Sequence, residues 1–250
     1  MSKDQKFPSE VVDLPSKGKC YPKDSPLSKG KLELKYMTAK EEDILTSENL
    51  IKKGVVITKL LDSLILTEGV NSNDLVLGDK NGVMVAARIL AYGPQYDAEI
   101  TNPKDGSVHQ HSFDLTECPF KEIPDDLGDG NFEFELPISK QKVTFKLLTG
   151  QDEEDLTTEI KRLNKLNPVA SPEMTTRLRY MIQSVDGDET PTTINELSQN
   201  ILARDSLSLR QEIKRVSPDI DMNKEVEIGG EMVTVQIPMT TNFFWPKSEV

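Results

Sequence analysis

The sequence predicts an α+β fold: an N-terminal mixed α/β region with short antiparallel strands, then a small helical bundle and a C-terminal β-hairpin with an aromatic tail. Apolar residues recur at helical spacing within residues 57–90 and again within residues 156–216. Between these two stretches, residues 96–148 contain four short β-like runs separated by turn-forming segments. Near the end, Gly229-Gly230 separates two further β-like runs, as in a two-residue hairpin turn.

These changes of pattern predict four segments. An extended, proline-rich segment covers residues 1–30, and an α+β domain covers residues 31–149. A helical domain over residues 150–220 is followed by the β-hairpin and aromatic tail over residues 221–250. The four prolines within residues 8–26 cannot all lie in one helix or one central strand. We therefore expect the first segment to be irregular and to lie over the surface of the α+β domain.

The α+β domain is predicted to begin with a strand and a short helix. Residues 32–37 alternate apolar and polar side chains, as a half-buried strand does. Thr38-Ala-Lys-Glu41 is a capping box, in which the Glu41 side chain reaches back to the Thr38 backbone. Five apolar residues between Ile57 and Ile65 then predict an amphipathic helix.

A second helix and four strands complete this domain. The helix is expected to follow a break at Gly78-Asp79 and to end at Gly93-Pro94, because glycine and then proline terminate helices. The four predicted strands are residues 96–100, 111–115, 132–136 and 143–148.

Four helices are predicted in the next segment. The acidic run Asp152–Asp155 forms the first turn of one helix, where it complements the helix dipole. Ser171-Pro172 is expected to cap a second helix that continues to Val185. Thr193–Glu196 forms a capping box for a third helix, and Asp205 is expected to cap a fourth.

Composition excludes several classes of function. A formal net charge of −12 disfavours binding to nucleic acid and to anionic membranes, so we expect neither as a partner. Residues 55–66, the longest apolar stretch, are interrupted by two charges and are too short to cross a bilayer. Two distant cysteines, Cys20 and Cys118, fit a reducing compartment. We expect a cytoplasmic protein whose acidity gives solubility and steering toward basic protein partners.

No enzymatic motif stands out in the sequence. The phosphate-binding loop, the dinucleotide fingerprint, the nucleophile elbow and the zinc-protease helix motif are all missing, so we expect no catalysis and no cofactor. His109 and His111 would share one face of a strand, and a metal site with Cys118 is conceivable. We favour surface histidines over this site. We likewise favour a helix N-terminus over a cation cluster for Asp152–Asp155.

The C-terminus concentrates three aromatic residues, Phe243, Phe244 and Trp245. A large apolar cluster close to a chain end has to be buried against something. Folding back onto the chain's own domain is the favoured interpretation. The alternative is an anchor that inserts into a partner's groove, since aromatic side chains are frequent hot spots at interfaces.

Four stretches of the sequence together resemble a known family. They are residues 10–22 (EVVDLPSKGKCYP), 27–61 (from LSKGKLELKYMTAKEEDIL), 78–93 (GDKNGVMVAARILAYG) and 237–246 (IPMTTNFFWP). This combination is similar to the baseplate hub assembly family of T4-like contractile-tailed phages. The resemblance implies binding to baseplate hub and tail proteins, and it supplies no catalytic residues.

The resemblance implies an assembly factor that acts like a chaperone for the central hub. We expect it in the host cytoplasm during assembly, with a permanent place in the virion baseplate as the alternative. A metal-dependent enzyme is a third hypothesis, and self-association is left open. From accessibility and aromatic content, the candidate partner contacts are Leu14, Pro15, Lys19, Lys40, Glu41, Asp43, Phe243, Phe244 and Trp245.

Overall fold

The computed structural model describes residues 7–102, 104–125, 127, 130–166, 172–239 and 241–244. Helices alternate with small antiparallel sheets, which confirms the predicted α+β class. Within the described ranges the sheets are β1-β2, β3-β4, β5-β6-β7 and β8-β9. The elements are β1 (Ser9–Asp13), β2 (Lys31–Lys35), α1 (Ala39–Thr46), α2 (Glu48–Lys53), α3 (Val56–Leu64), α4 (Leu77–Tyr92), β3 (Gln95–Thr101), β4 (Val108–Asp114), β5 (Phe132–Glu135), β6 (Lys142–Phe145), α5 (Gly150–Leu166), α6 (Glu173–Met181), β7 (Ile182–Val185), α7 (Pro191–Asn200), α8 (Ala203–Val216), β8 (Asn223–Ile228) and β9 (Glu231–Gln236).

The N-terminal segment is more ordered and more deeply packed than we expected. Strand β1 pairs antiparallel with β2, and Val12 lies opposite Leu32. The prolines permit this because β1 fits between Pro8 and Pro15 and contains none of them. Beyond β1, Leu14 is fully buried. The rest of the segment is irregular, as expected, with turns and a short 3-10 helix at Pro26–Lys29. Its expected position on the surface was wrong, because Leu14, Cys20 and Leu27 are buried.

The elements that the sequence predicts from local patterns are present in the structure. Thr38 precedes α1 with both halves of the capping box present, and the apolar face of α3 is buried. All five strands predicted in the α+β domain are found, as β2 to β6. Gly229 and Gly230 form the β8–β9 turn with φ values of 62° and 86°, as a turn with two left-handed residues requires.

Several helix ends differ from the prediction. Helix α4 begins at Leu77, so Gly78 and Asp79 lie in its first turn and do not break the chain. Helix α7 begins at Pro191, with Thr190 as N-cap, two residues before the predicted capping box. Neither N-cap residue, Val76 or Thr190, makes a side-chain capping hydrogen bond, and in α4 the early residues Gly78 and Asp79 are buried by tertiary packing that apolar periodicity does not indicate.

The second half contains a strand where we predicted helix. Helix α6 ends at Met181, and Ile182–Val185 form β7, which pairs with β6. Apolar spacing over so short a run fits either element, and pairing with β6 selects the strand. Pro172 lies at the N-cap of α6 instead of its first helical position, and the predicted cap Ser171 is outside the described residues. Asp205 does not cap α8, whose N-cap is Leu202.

One hydrophobic cluster collects side chains from all four predicted segments. It extends from Leu14 through Leu60 and Leu209 to Phe244. No helix in the described part of the chain is long and apolar enough to cross a membrane.

Candidate protein–protein interface

The N-terminal segment is attached to α4 through one buried carboxylate. Asp79 Oδ1 accepts from the Ser16 backbone N–H at 2.7 Å, and Oδ2 accepts from Ser16 Oγ at 2.6 Å and from the Tyr21 hydroxyl at 2.7 Å. The Tyr21 hydroxyl in turn accepts from the Val76 N–H at 3.0 Å. Burial raises the pKa of the Asp79 carboxyl above its ordinary value, against the hydrogen bonds from Ser16 and Tyr21.

Glycines permit the close packing around this carboxylate. A Cβ at Gly82 would lie 2.7 Å from the Pro15 ring, and one at Gly78 would lie 1.7 Å from the Pro218 carbonyl oxygen. Gly18 has a φ of +81°, and a Cβ there would lie 2.2 Å from the Ser28 carbonyl oxygen. The motif residues that carry the family resemblance are therefore engaged in packing the chain against itself.

A second buried carboxylate, Glu41, joins α1 to its neighbours. It accepts from Lys35 Nζ at 2.7 Å, Ser63 Oγ at 2.6 Å and the Thr38 N–H at 2.9 Å. Burial opposes ionisation of this group, but the hydrogen bonds from Lys35, Ser63 and Thr38 outweigh it and lower the pKa to about 2.

A third buried carboxylate, Asp205, joins α8 to the β5–β6 connection. It accepts from the backbone N–H groups of Ile138 at 2.7 Å and Ser139 at 3.0 Å. Burial opposes its ionisation, while these two backbone donors lower its pKa below the ordinary value. The Asp205 side chain thus accepts the N–H groups of the β5–β6 connection instead of capping α8.

The candidate contact residues fall into two groups. Leu14, Pro15 and Glu41 are buried, so their side chains contact other segments of this chain. Lys19 is only partly exposed and its Nζ lies 2.7 Å from the Asp125 carboxylate. Two further candidates, Lys40 and Asp43, are exposed on α1. Exposure thus leaves Lys19 and the two α1 residues available to a partner.

The aromatic tail packs into the core as far as the structure describes it. Phe243 and Phe244 are fully buried, and Phe243 meets the Tyr96 ring edge-on at 5.0 Å. Arg88 Nε donates to the Phe243 carbonyl oxygen at 2.9 Å. This arrangement matches the fold-back interpretation for these two rings, and Trp245 lies outside the described residues.

The histidine pair does not assemble with Cys118. His109 and His111 lie exposed on one face of β4, opposite Ile100 and Ala98 of β3. Cys118 is buried after β4, and burial raises the pKa of its thiol. Among the described residues, no three potential metal-ligating side chains come together.

The acidic run at the start of α5 takes part in local structure. Asp152 accepts from the Thr149 N–H at 2.9 Å and from Lys146 Nζ at 2.7 Å. Glu153 forms a two-point ion pair with Arg177 at 2.9 Å for each contact. These partners agree with a capped helix N-terminus.

Two concave surfaces were not foreseen. One is an open groove of about 620 Å³, whose lining includes Cys20, Tyr21, Asn73 and Gln151. The second lies between α6 and α8. Both combine residues distant in sequence, so no local pattern could have indicated them.

Comparison with known proteins gives one match. A protein family described as T4 bacteriophage base plate protein matches residues 8–245, nearly the whole chain. Searches of curated proteins and of solved structures find no match. The chain therefore belongs to the T4 bacteriophage base plate protein family and has a role connected with the baseplate of a phage tail.

Proposed function

We propose that the chain is a non-enzymatic assembly factor for the central hub of a contractile tail's baseplate. It acts by binding hub and tail proteins in the host cytoplasm while the hub is built. The observation that carries this proposal is the family match, because it spans residues 8–245 and so includes every element from β1 to the aromatic tail.

The use of buried ionisable groups supports a non-enzymatic role. Asp79, Glu41 and Asp205 are each fully buried, and each accepts hydrogen bonds that join two separate segments of the chain. A catalytic acid or base has to reach a substrate, usually in a cleft. These carboxylates instead contribute to the architecture.

Exposed apolar side chains support binding to proteins. Val108 on β4 and Met232 on β9 are each 61% exposed. They belong to two adjacent hairpins, which are linked by an ion pair between Lys104 and Glu231. Both strands are edge strands of two-stranded sheets, and exposed edge strands are places where another chain can pair.

The alternative is a permanent structural subunit of the baseplate hub, since the family match fits both roles. Quantitative mass spectrometry of purified virions separates them. We expect the chain to be missing from virions, or far below the stoichiometry of hub subunits, whereas infection without it gives few hubs. Supplying the chain from a plasmid should restore hub yield. Stoichiometric presence in virions would support the structural alternative instead.

A further inference from the structure

A narrow apolar groove of about 200 Å³ lies between α6 and α8. Leu178 and Ile213, exposed by 1% and 8%, line it, together with Met181. Met174, also in the lining, is 46% exposed. Sites for drug-sized molecules usually measure about 300–1,000 Å³, so this groove suits a single large side chain better.

The polar side chains that line the groove are all basic. They are Arg177, Arg210 and Lys214, and among the residues that the structure describes no acidic one lines the groove. Arg177 forms an ion pair with Glu153. Arg210 Nε donates only to the Ser206 carbonyl oxygen, and within the described ranges neither Arg210 nor Lys214 has a carboxylate within 4 Å.

This basic lining contrasts with the rest of the molecule. The chain carries a formal net charge of −12, so its average surface repels an acidic segment. Charges beyond about 10 Å are largely screened at 0.1 M salt. Closer in, Glu153 offsets the charge of Arg177, so the positive charge that a docked segment meets comes from Arg210 and Lys214. The groove is thus locally complementary to acidic chains.

We propose that the α6–α8 groove binds an acidic segment of another baseplate protein that inserts one large apolar side chain. The inserted side chain contacts Met174, Leu178 and Ile213, and flanking carboxylates pair with Arg210 and Lys214. This is the mode in which an amphipathic segment lies in an apolar groove, with charges at the edge giving orientation. The inference rests on the proposed function, because it takes the partner to be a baseplate protein.

The test uses the full chain and synthetic peptides. Fifteen-residue peptides tiled over the other baseplate proteins of the same phage are fluorescently labelled, and binding is followed by anisotropy. We expect saturable binding by peptides in which acidic residues flank a large apolar side chain. Replacing that apolar residue by Ser, or the acidic residues by Lys, should weaken binding by about tenfold or more.

Charge reversal in the protein tests whether the peptides bind in this groove. The double variant Arg210→Glu, Lys214→Glu changes two exposed side chains, and should weaken the acidic peptide by about tenfold. It should also recover affinity for the peptide whose acidic residues are replaced by Lys. Met174→Ser should weaken binding by about threefold to tenfold. Arg204→Glu, on α8 but outside the lining, is the matched control and should change affinity less than twofold.

Three outcomes would overturn the proposal. They are no saturable peptide binding, binding that the double variant leaves unchanged, and loss of self-association in the double variant, which would make a second copy the occupant. Hub yield in infected cells is recorded separately. If the double variant binds the peptides as tightly as wild type and hub yield depends on the chain, the groove proposal fails and the proposed function stands. If deleting the whole chain leaves hub yield unchanged, the proposed function fails.

Discussion

Three buried carboxylates show how similar side chains acquire different acidities. Glu41 has a buried ammonium partner in Lys35, which stabilises the ionised form. Asp205 has no such partner but accepts from two backbone N–H groups. Asp79 accepts only from neutral donors in the interior, so burial prevails and its pKa rises. Each carboxylate contributes to stability in its own way.

Removing the Asp79 carboxylate should destabilise the fold strongly. Asp79→Ala leaves the Ser16 N–H, the Ser16 hydroxyl and the Tyr21 hydroxyl without their acceptor, and should lower the free energy of unfolding by about 3 kcal/mol. Asp79→Asn keeps one acceptor oxygen and should cost less. Urea denaturation measures both. Asp43→Ala, at an exposed position, should stay within about 0.5 kcal/mol of wild type, and an equal loss in both Ala variants would contradict this prediction.

Glu41 should give stability that disappears in acid. Its pKa is about 2 in the folded chain and 4.5 ordinarily. At a pH between these two values, the chain therefore takes up a proton when it unfolds. The contribution is fully present above pH 4.5 and is lost as the pH falls toward 2. The stability difference between wild type and Glu41→Gln should therefore shrink over this window in urea denaturation.

The exposed Glu48 on α2 is the matched control for this pH dependence. Glu48→Gln should differ from wild type by no more than about 1 kcal/mol, because exposed ion pairs contribute about 0–1 kcal/mol. A Glu41→Gln difference that stays constant from pH 6 to pH 2 would show that the carboxylate is not held ionised.

At the level of elements, α4 is the helix against which distant segments are positioned. Its first turn binds the N-terminal segment through Asp79 and lies against the Pro218 carbonyl, while Arg88 further along holds the C-terminal tail. Such close approach of a helix to other backbone requires small residues. Gly78 supplies one, although glycine is unfavourable within a helix by about 1 kcal/mol relative to alanine.

Gly78→Ala should therefore destabilise the protein despite the better helix propensity of alanine. The new methyl group would lie 1.7 Å from the Pro218 carbonyl oxygen, so helix or loop has to shift, and we expect a net loss of about 3 kcal/mol. Gly54→Ala is a useful comparison because nothing lies near its Cβ and only its φ of +74° opposes alanine. That change should cost about 1 kcal/mol. Thermal and urea unfolding of both variants measure the difference.

At the level of the whole molecule, the two ends of the described chain lie on the same core. Leu14 near the start and Phe243 near the end belong to one hydrophobic cluster. The Tyr96 hydroxyl donates to the Pro238 carbonyl oxygen at 3.1 Å, which begins the path of the tail into that cluster. Folding thus requires contacts between residues far apart in sequence, a topology that slows folding.

Loss of the tail should abolish cooperative folding. A chain ending at Pro238 lacks Phe243 and Phe244, and each buried phenylalanine contributes about 3–5 kcal/mol when compared with alanine. That sum approaches the total stability of an ordinary domain. We expect the truncated chain to show no cooperative thermal transition by circular dichroism, and Phe243→Ala alone to lower stability by about 3–5 kcal/mol.

The exposed Met232 supplies the control for tail removal. Met232→Ala should leave stability within about 0.5 kcal/mol of wild type, because its side chain is mostly in solvent. If the truncated chain instead unfolds cooperatively near the wild-type temperature, the fold does not depend on the tail. That result would support the alternative, in which the tail inserts into a partner's groove.

The sequence alone determined the features that depend on neighbours within about four residues. The Thr38 capping box, the apolar face of α3 and the Gly229-Gly230 turn were all predictable, because each is stabilised by contacts within one element. The family resemblance could also be recognised from the sequence, because it depends on the identity of the residues.

Only the tertiary structure decided which residues are accessible and how ambiguous runs fold. Ile182–Val185 became a strand because β6 offers it hydrogen bonds, and the candidate contacts Leu14 and Glu41 proved to be buried. The α6–α8 groove joins side chains that are far apart in the chain, such as Leu178 and Ile213. Burial and pairing depend on partners brought together by folding, so no pattern within a single segment encodes them.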